Sequence, residues 1–245
     1  MAELLFYKKP VALNNEQHRR HSFKKFNSLD FASHAQSVLL TGSEFTEASK
    51  EYPIVFAKTP DNSMVPVALL GFRQGENLYV GASGKWSARY IPAYVRRYPF
   101  IFHEASDEQF VVCVDEDCAG LNVVGEGEPL FDEKGAASPF VNNMIQFMQD
   151  YQVDFLRTRA FMEHLQQLDL LKENNAKITL NTGEEFLING IWMVDESRLL
   201  ALDDENISKL ARSGDLGRIY AHLISLSNLN QLASLDKPKV EAVEK

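Results

Sequence analysis

Cysteine is scarce in this chain: only Cys113 and Cys118 occur among its 245 residues. Two thiols provide neither the four ligands of an all-cysteine metal site nor the pairs of a disulfide framework. A Cys-x4-Cys pair can in principle join in a disulfide, but free cysteine more often behaves as a small buried apolar residue. We therefore predict two structural thiols.

Long apolar runs and a secretory leader are also lacking. No apolar stretch reaches the roughly 18 residues of a membrane-spanning helix. The first residues carry their positive charges, Lys8 and Lys9, after a short apolar stretch, which reverses the order of a secretory signal. We predict no membrane insertion and a cytoplasmic location.

The motifs of common cofactor enzymes are missing as well. The sequence contains no Gly-x-Ser-x-Gly motif, no P-loop and no dinucleotide fingerprint. His103 and His164 have no neighbour at a metal-ligand spacing, and His222 shares a helical face with apolar residues, which is typical of a core histidine. We therefore predict no cofactor and no metal, and these features favour a protein that is not an enzyme.

Positive charge is absent from one long segment. Residues 104–133 contain ten acidic residues and no lysine or arginine, whereas residues 1–25 contain six basic residues against two acids. Because phosphate binding requires a basic surface, this distribution and the net charge of −9 argue against a nucleic acid partner. The acidic segment is typical of a solvated surface, and the basic arm is either solvated or docked on an acidic surface.

The first half of the sequence is typical of an antiparallel β region. Strands are expected at 54–57, 65–70, 78–80 and 110–114. The last of them is apolar at every position, so we expect it to be covered on both faces. Ser43 is the candidate cap of a short helix over 43–50, because serine often accepts a hydrogen bond at a helix start.

Helical periodicity begins after residue 136. Ser138 can cap a helix with Pro139 at its first position. Apolar spacings of three and four then predict one long helix or two helices joined near residue 153. Two C-terminal helices are expected, one capped by Asp203 or Asp204 and ended at Gly214, the next capped by Asp215.

A β-hairpin is predicted between these helices, with strands at 177–180 and 185–188 around a turn at 181–184, followed by a strand at 191–194. The fold class is therefore α+β, with a long helix, this hairpin and C-terminal helices packed on an antiparallel β-rich N-terminal region. We divide the chain into an irregular basic arm over 1–35, one α+β domain over 36–235 and a frayed tail over 236–245.

The run at 86–100 combines aromatic residues, two prolines and adjacent arginines. Folding rarely needs this combination, because arginine resists burial unless it is paired and each proline removes a backbone donor. On an extended segment Arg96 and Arg97 would point to opposite sides, so only one could face a given site. The candidate ligand-binding residues are Trp86, Tyr90, Tyr94, Arg96, Arg97 and Tyr98.

The run has two interpretations. In a ligand site, one arginine would bind a carboxylate or phosphate while the tyrosines stack nearby. In a structural clamp, an arginine would pair with an acid and the tyrosines would fill the core. The possible acidic partners are Asp115, Glu116, Asp195 and Glu196. These Asp-Glu pairs could also supply acid and base groups or bind a hard cation, although neighbouring carboxylates are more often caps or solvated turn residues.

Six motifs follow one another along most of the chain. They are Tyr-Pro-Ile-Val-Phe at 52–56, Pro-Val-Ala-Leu-Leu-Gly at 66–71, Gly-Glu-Asn-Leu at 75–78, Tyr-Ile-Pro-Ala-Tyr-Val-Arg-Arg-Tyr-Pro-Phe at 90–100, Val-Asp-Glu at 194–196 and Tyr-Ala-His-Leu-Ile-Ser-Leu at 220–226. In order and spacing, from about residue 35 to residue 232, the sequence resembles the bacterial SapC family.

The resemblance implies an accessory role in nutrient uptake or in modification of an uptake component. Members tend to occur beside flavin-dependent halogenase-like proteins, cupin-like proteins and TonB-dependent receptors. The family name suggests surface-layer association, and some relatives carry the label of peptide-transporter permease, which the lack of a spanning segment contradicts. The resemblance implies no catalytic residues.

We therefore predict a non-catalytic cytoplasmic binding or adaptor protein that uses the run at 86–100 to bind a peptide segment or a small anionic ligand. One alternative is a peptide-modifying enzyme in which the Asp-Glu pairs converge with an arginine. Another is a structural protein of a surface layer, which the missing export signal disfavours.

Overall fold

A computed structural model describes residues 5–106, 109–179, 183 and 185–236. The strands in this part of the chain are β1 Pro10–Ala12, β2 Ser22–Phe23, β3 Ser37–Leu39, β4 Ile54–Lys58, β5 Met64–Leu69, β6 Phe100–Ser106, β7 Gln109–Asp115, β8 Leu121–Asn122, β9 Glu128–Pro129, β10 Leu171–Thr179 and β11 Glu185–Val194. The helices are α1 Asn15–His18, α2 Phe45–Ala48, α3 Ala93–Arg96, α4 Pro139–Gln167, α5 Glu196–Leu200, α6 Asp204–Ser213, α7 Asp215–Ser225 and α8 Asn228–Leu235.

The strands form three antiparallel sheets. The largest has the order β10-β11-β4-β5-β3, and two three-stranded sheets have the orders β1-β7-β6 and β8-β2-β9. In the largest sheet β11 reaches β4 through the pair Trp192 and Phe56, which joins the predicted hairpin to the N-terminal strands. The predicted α+β class is confirmed.

Helix α4 connects two apolar cores. The predicted cap is confirmed, because the Ser138 hydroxyl accepts a hydrogen bond from Val141 N at 3.2 Å, and the helix continues without a break to Gln167. Its first half contributes Val141 and Met148 to a core beneath β6 and β7, and its second half contributes Met162 to the core of the largest sheet. No helix in the described ranges combines the length and the apolarity that crossing a bilayer requires.

Three local predictions in the first half are wrong. Residues 78–80 form no strand, because the Asn77 side chain accepts from Tyr79 N in a turn and Val80 makes only an isolated bridge. Phe110 is 43% exposed, so β7 is not covered on both faces. The short helix is capped by Thr41, whose capping box with Glu44 precedes the predicted cap Ser43.

In the second half of the chain, the structure agrees more closely with the elements predicted from the sequence. Asp203 caps α6, which ends at Gly214 in the left-handed conformation, whereas Asp215 lies inside the first turn of α7 and does not cap it. The predicted strand 191–194 is continuous with β11. Within the predicted turn, residues 181, 182 and 184 lie outside the described residues, as does the tail after Asp236.

The two thiols and His222 have structural positions, as predicted. Cys113 and Cys118 are buried and free. The His222 imidazole is fully buried between two backbone groups: its Nδ1 lies 2.8 Å from Ile54 O, and Val194 N donates to its Nε2 at 3.1 Å. Burial lowers the pKa of His222 from its ordinary value near 6.5 to about 4. The neutral ring thus links β4, β11 and α7.

Acidification should destabilise the protein through His222. Between pH 6.5 and pH 4 the unfolded chain binds a proton that the buried ring excludes, so stability falls as the pH falls. We expect this residue to account for a loss of about 2 kcal/mol in the free energy of unfolding between about pH 7 and about pH 5. Urea unfolding of the wild type and of His222→Gln measures the difference. His103→Gln, at an exposed position on β6, is the control that should keep the wild-type pH dependence; a His222→Gln variant with that same dependence would contradict the assignment.

Candidate functional site

The run at 86–100 changes from extended chain to a helical turn before it enters β6. Pro92 starts α3, and its carbonyl accepts from Val95 N at 2.9 Å and from Arg96 N at 3.0 Å. Arg96 is the last residue of α3 and Arg97 follows it with helical backbone angles, so neither lies on an extended segment. Neighbouring side chains on a helical turn diverge by about 100°, so the two arginines enter different environments.

A buried carboxylate, Glu44, holds this run in place. Its Oε1 accepts from the Tyr90 hydroxyl at 2.8 Å and from Ala93 N at 2.7 Å, and its Oε2 accepts from Thr41 N at 2.8 Å and from Thr41 Oγ1 at 3.1 Å. The residue is only 5% exposed. One carboxylate therefore ties the start of α2 to the start of α3.

The sequence pointed to other acids for this role. Among the described residues, no ion pair or hydrogen bond joins Arg96 or Arg97 to any of the four predicted partners, Asp115, Glu116, Asp195 and Glu196. The pattern Thr41-Gly-Ser-Glu44 is a capping-box signature that could have identified Glu44 as a helix cap. Its bonds to Tyr90 and Ala93 link residues far apart in sequence and carry no local signature.

Trp86 and Tyr90 are partly buried and pack against the core. Trp86 Nε1 donates to the Tyr52 hydroxyl at 2.8 Å, and its ring stacks on Tyr79 with 6.2 Å between centroids. The Tyr52 hydroxyl donates in turn to the carbonyl of Tyr90. Burial raises the pKa of Tyr52 and of Tyr79, so both hydroxyls stay protonated and can donate. These contacts favour a structural role for Trp86.

Arg97 lies among tyrosine rings. Its guanidinium carbon is 4.0 Å from the ring centroid of Tyr94, 5.1 Å from that of Tyr151 and 5.9 Å from that of Tyr7. Stacking on aromatic faces is a known way to hold an arginine without a carboxylate. Burial raises the pKa of Tyr7 and of Tyr151, so these rings remain neutral. Tyr94 is therefore buried, and Arg97 is half-buried among these rings.

Arg96 lies on a different face of the turn and is exposed. Its Nε donates to the carbonyl of Ile91 at 2.9 Å, and its guanidinium carbon is 5.2 Å from the ring centroid of Phe147 and 5.7 Å from that of Tyr90. These contacts orient the guanidinium while it remains open to solvent. Of the two arginines, Arg96 is the one available to a ligand.

Asp115 anchors Tyr98 and the N-terminal segment. This carboxylate is fully buried at the end of β7 and accepts from Lys9 N at 2.8 Å, from Lys8 N at 3.1 Å and from the Tyr98 hydroxyl at 3.1 Å. Burial, with the nearby Cys118 and Asp115, raises the pKa of Tyr98. Asp115 is therefore occupied by structural hydrogen bonds.

Of the other three predicted acids, one forms an ion pair, one caps a helix and one is exposed. Glu116 pairs with Lys9 at 2.8 Å. Asp195 caps α5, and the hydrogen bond from Ser197 lowers its pKa. Glu196 is exposed in the first turn of that helix. Among the described residues, the two Asp-Glu pairs and the arginines do not assemble into the acid, base and anchor that the enzyme alternative required.

An open cavity of about 650 Å³ lies beside the run. Ile91, Val95 and Arg96 line one side, and Met144 of α4 lines another. Six aromatic rings form much of the remaining wall, from Phe23, Phe26, Phe31, Tyr98, Phe100 and Phe140. We call this space the aromatic cavity; of the six residues predicted to bind a ligand, it includes only Arg96 and Tyr98.

The rings of the aromatic cavity pack on one another. Phe31 stacks on Tyr98 with 4.3 Å between centroids, and Phe23 stacks on Phe140 at 5.5 Å. Phe26 contacts both Phe31 and Tyr98. Because each ring supports its neighbours, the cavity has a defined shape before any ligand enters.

One lysine lines the aromatic cavity, and two more line a cavity that adjoins it. Lys25 lines it directly. An adjoining cavity of about 440 Å³ shares Lys25, Phe26, Phe31 and Tyr98 with it and adds two bases, Lys8 and Lys24, and two acids, Asp30 and Asp117. Lys24 is paired with Glu126 at 2.6 Å. The wall of the aromatic cavity therefore combines apolar rings with two basic side chains, Lys25 and Arg96, and one acid, Glu128.

Most residues of this cavity could not be recognised as site residues from the sequence. Phe23, Phe26 and Phe31 lie in the irregular basic arm, and Phe140 lies in the first turn of α4. Three phenylalanines within nine residues of a polar arm were the one available indication. Only the tertiary fold places them opposite the run at 86–100.

Comparison with known proteins gives one match. A family model described as SapC matches residues 13–232, which is most of the chain. No curated protein and no solved structure matches the chain significantly.

Proposed function

The chain belongs to the SapC family, and we propose that it is a non-catalytic cytoplasmic binding protein that accepts an apolar ligand group in the aromatic cavity. The observation that carries this proposal is the position of the motif at 90–100, five of whose residues line the cavity. They are Ile91, Val95, Arg96, Tyr98 and Phe100.

The size and composition of the cavity support this function. Small-molecule sites typically have volumes of about 300–1,000 Å³ and mainly apolar walls with a few polar groups. The aromatic cavity, at about 650 Å³, falls within this range. Aromatic side chains also contribute large contact areas to a bound group with little loss of side-chain freedom.

The expected setting follows from the family resemblance. Within this proposal, the protein serves nutrient uptake through TonB-dependent receptors or assists a flavin-dependent halogenase-like or cupin-like enzyme. The bound group would then belong to a molecule that such a partner takes up or modifies. The enzyme alternative loses its support, because no ion pair or hydrogen bond between the described residues joins its four acids to Arg96 or Arg97.

Binding of the neutral fluorescent probe N-phenyl-1-naphthylamine tests the cavity. We expect the wild type to bind this probe with increased fluorescence, and Met144→Trp to weaken binding by at least about tenfold, because the indole would occupy the space. Fluorescence titration measures both dissociation constants.

The control is a tryptophan on the same helix outside the cavity. Val153 of α4 is 48% exposed and does not line the cavity, so Val153→Trp should bind the probe as the wild type does. Circular dichroism and urea midpoints verify that both variants fold. Equal affinities of Met144→Trp and Val153→Trp, or no binding by the wild type, would refute the proposed function.

A further inference from the structure

We propose that the ligand of the aromatic cavity is a small amphipathic anion whose apolar body contacts the rings and whose acidic group binds Lys25 and Arg96. This inference rests on the proposed binding function and adds the charge and the size of the ligand. The acidic group can be a carboxylate, a sulfonate or a phosphate, since all three present oxygens to a cation.

Cations outnumber acids by two to one in the lining of the aromatic cavity, although acids outnumber bases in the whole protein. The chain has a net charge of −9, yet the charged residues that line the aromatic cavity are Lys25, Arg96 and Glu128. Neither cation has a carboxylate within 4.0 Å in the part of the chain that the structure describes. The neighbouring Lys24, in contrast, is paired with Glu126. An anionic ligand would supply the partner that these two cations lack.

Arg96 is arranged to bind such a group. Its Nε is occupied by the carbonyl of Ile91, and one terminal nitrogen lies 3.4 Å from the Tyr90 hydroxyl. Among described residues, the other terminal nitrogen makes no hydrogen bond. The contacts with Tyr90 and Phe147 hold the guanidinium plane, so a planar or forked acidic group would find its donors already oriented.

The dimensions of the cavity favour a small molecule over a polymer. A volume of about 650 Å³ is that of a site for one drug-sized ligand. Rings surround this space from the arm, from the run at 86–100 and from α4, so a flat or branched apolar body can be contacted on several sides. The cations Lys25 and Arg96 are both exposed, which places the acidic group at the solvent side.

A pair of probes that differ by one acidic group tests this inference. 8-Anilino-1-naphthalenesulfonate carries a sulfonate on the same anilinonaphthalene body as neutral N-phenyl-1-naphthylamine. We expect the double variant Lys25→Gln, Arg96→Gln to weaken binding of the sulfonate by about tenfold or more while it changes binding of the neutral probe by less than about twofold. Lys85→Gln, an exposed lysine outside the cavity, is the control and should change neither.

The possible results separate the two proposals. In one result, both probes bind the wild type, Met144→Trp weakens the binding of both, and the double variant changes the two affinities equally. The ligand is then not an anion, but the proposed binding function of the cavity stands. If neither probe binds, both proposals are wrong. Weaker binding of the sulfonate probe alone by the double variant supports the inference. In the wild type, rising salt concentration should likewise weaken binding of the sulfonate probe alone, because screening weakens the ion pairs of exposed cations. Unchanged urea midpoints establish that the double variant is folded.

Discussion

Glu44→Ala should lower the free energy of unfolding by about 4 kcal/mol, because it leaves several buried donors without an acceptor at a cost of about 1–3 kcal/mol each. The donors are the amides of Thr41 and Ala93 and the hydroxyls of Thr41 and Tyr90. Water cannot readily replace the carboxylate, since Glu44 is only 5% exposed. Equilibrium urea unfolding, followed by circular dichroism, measures the change.

Helix α2, which begins directly after Glu44, provides a matched control. Glu47 is exposed and pairs only with Lys50, so Glu47→Ala should change the free energy of unfolding by less than about 0.5 kcal/mol. Glu44→Gln keeps the shape but replaces one acceptor oxygen with a donor, and we expect a loss between those of the two alanine variants. Equal stabilities of Glu44→Ala and Glu47→Ala would mean that Glu44 does not anchor the run.

Asp115→Ala should lower the free energy of unfolding by about 3 kcal/mol and also weaken binding in the aromatic cavity. The variant removes the acceptor of Lys8 N, Lys9 N and the Tyr98 hydroxyl at a fully buried position. The Tyr98 ring, which stacks on Phe31, would lose its polar anchor. Urea unfolding and titration with N-phenyl-1-naphthylamine measure the two effects.

Asp117→Ala is the comparison for this prediction. Asp117 follows two residues later in the same turn, but its side chain is exposed, and its amide donates to Asp115. We expect a change of less than about 0.5 kcal/mol, as for most exposed side chains. If Asp115→Ala were as stable as Asp117→Ala, the carboxylate would not be an essential anchor of Tyr98.

The features that the sequence predicted correctly have local causes. The cap at Ser138 and the apolar spacing that follows it lie within one helix, as do the cap at Asp203 and the stop at Gly214 that bound α6. The hairpin of β10 and β11 is also a pairing of neighbours. The sequence pattern that predicts each of these elements lies within about one helix or one hairpin. Periodicity and capping rules were therefore sufficient to predict them.

The features that the sequence missed depend on distant contacts. The capping-box pattern could have identified Glu44 as a helix cap, but its hydrogen bond to Tyr90, 46 residues away, has no local signature. The helical turn at Arg96 and Arg97 follows from Pro92, which was noted only as a missing donor. The aromatic cavity brings together the arm, the run at 86–100 and α4. Its position therefore follows from the packing of these segments and from no single motif.

The most direct test locates the bound probe by NMR of the methionine methyl groups, labelled with ¹³C. Met144 lines the aromatic cavity, whereas Met64 lines separate depressions beside β5 and Met162 lies in the core of the largest sheet. On titration with N-phenyl-1-naphthylamine, we predict a saturable shift of the Met144 methyl signal and little change at Met64 and Met162, because ring-current shifts require close contact. A shift at Met64 with none at Met144 would contradict the assignment of the aromatic cavity as the binding site.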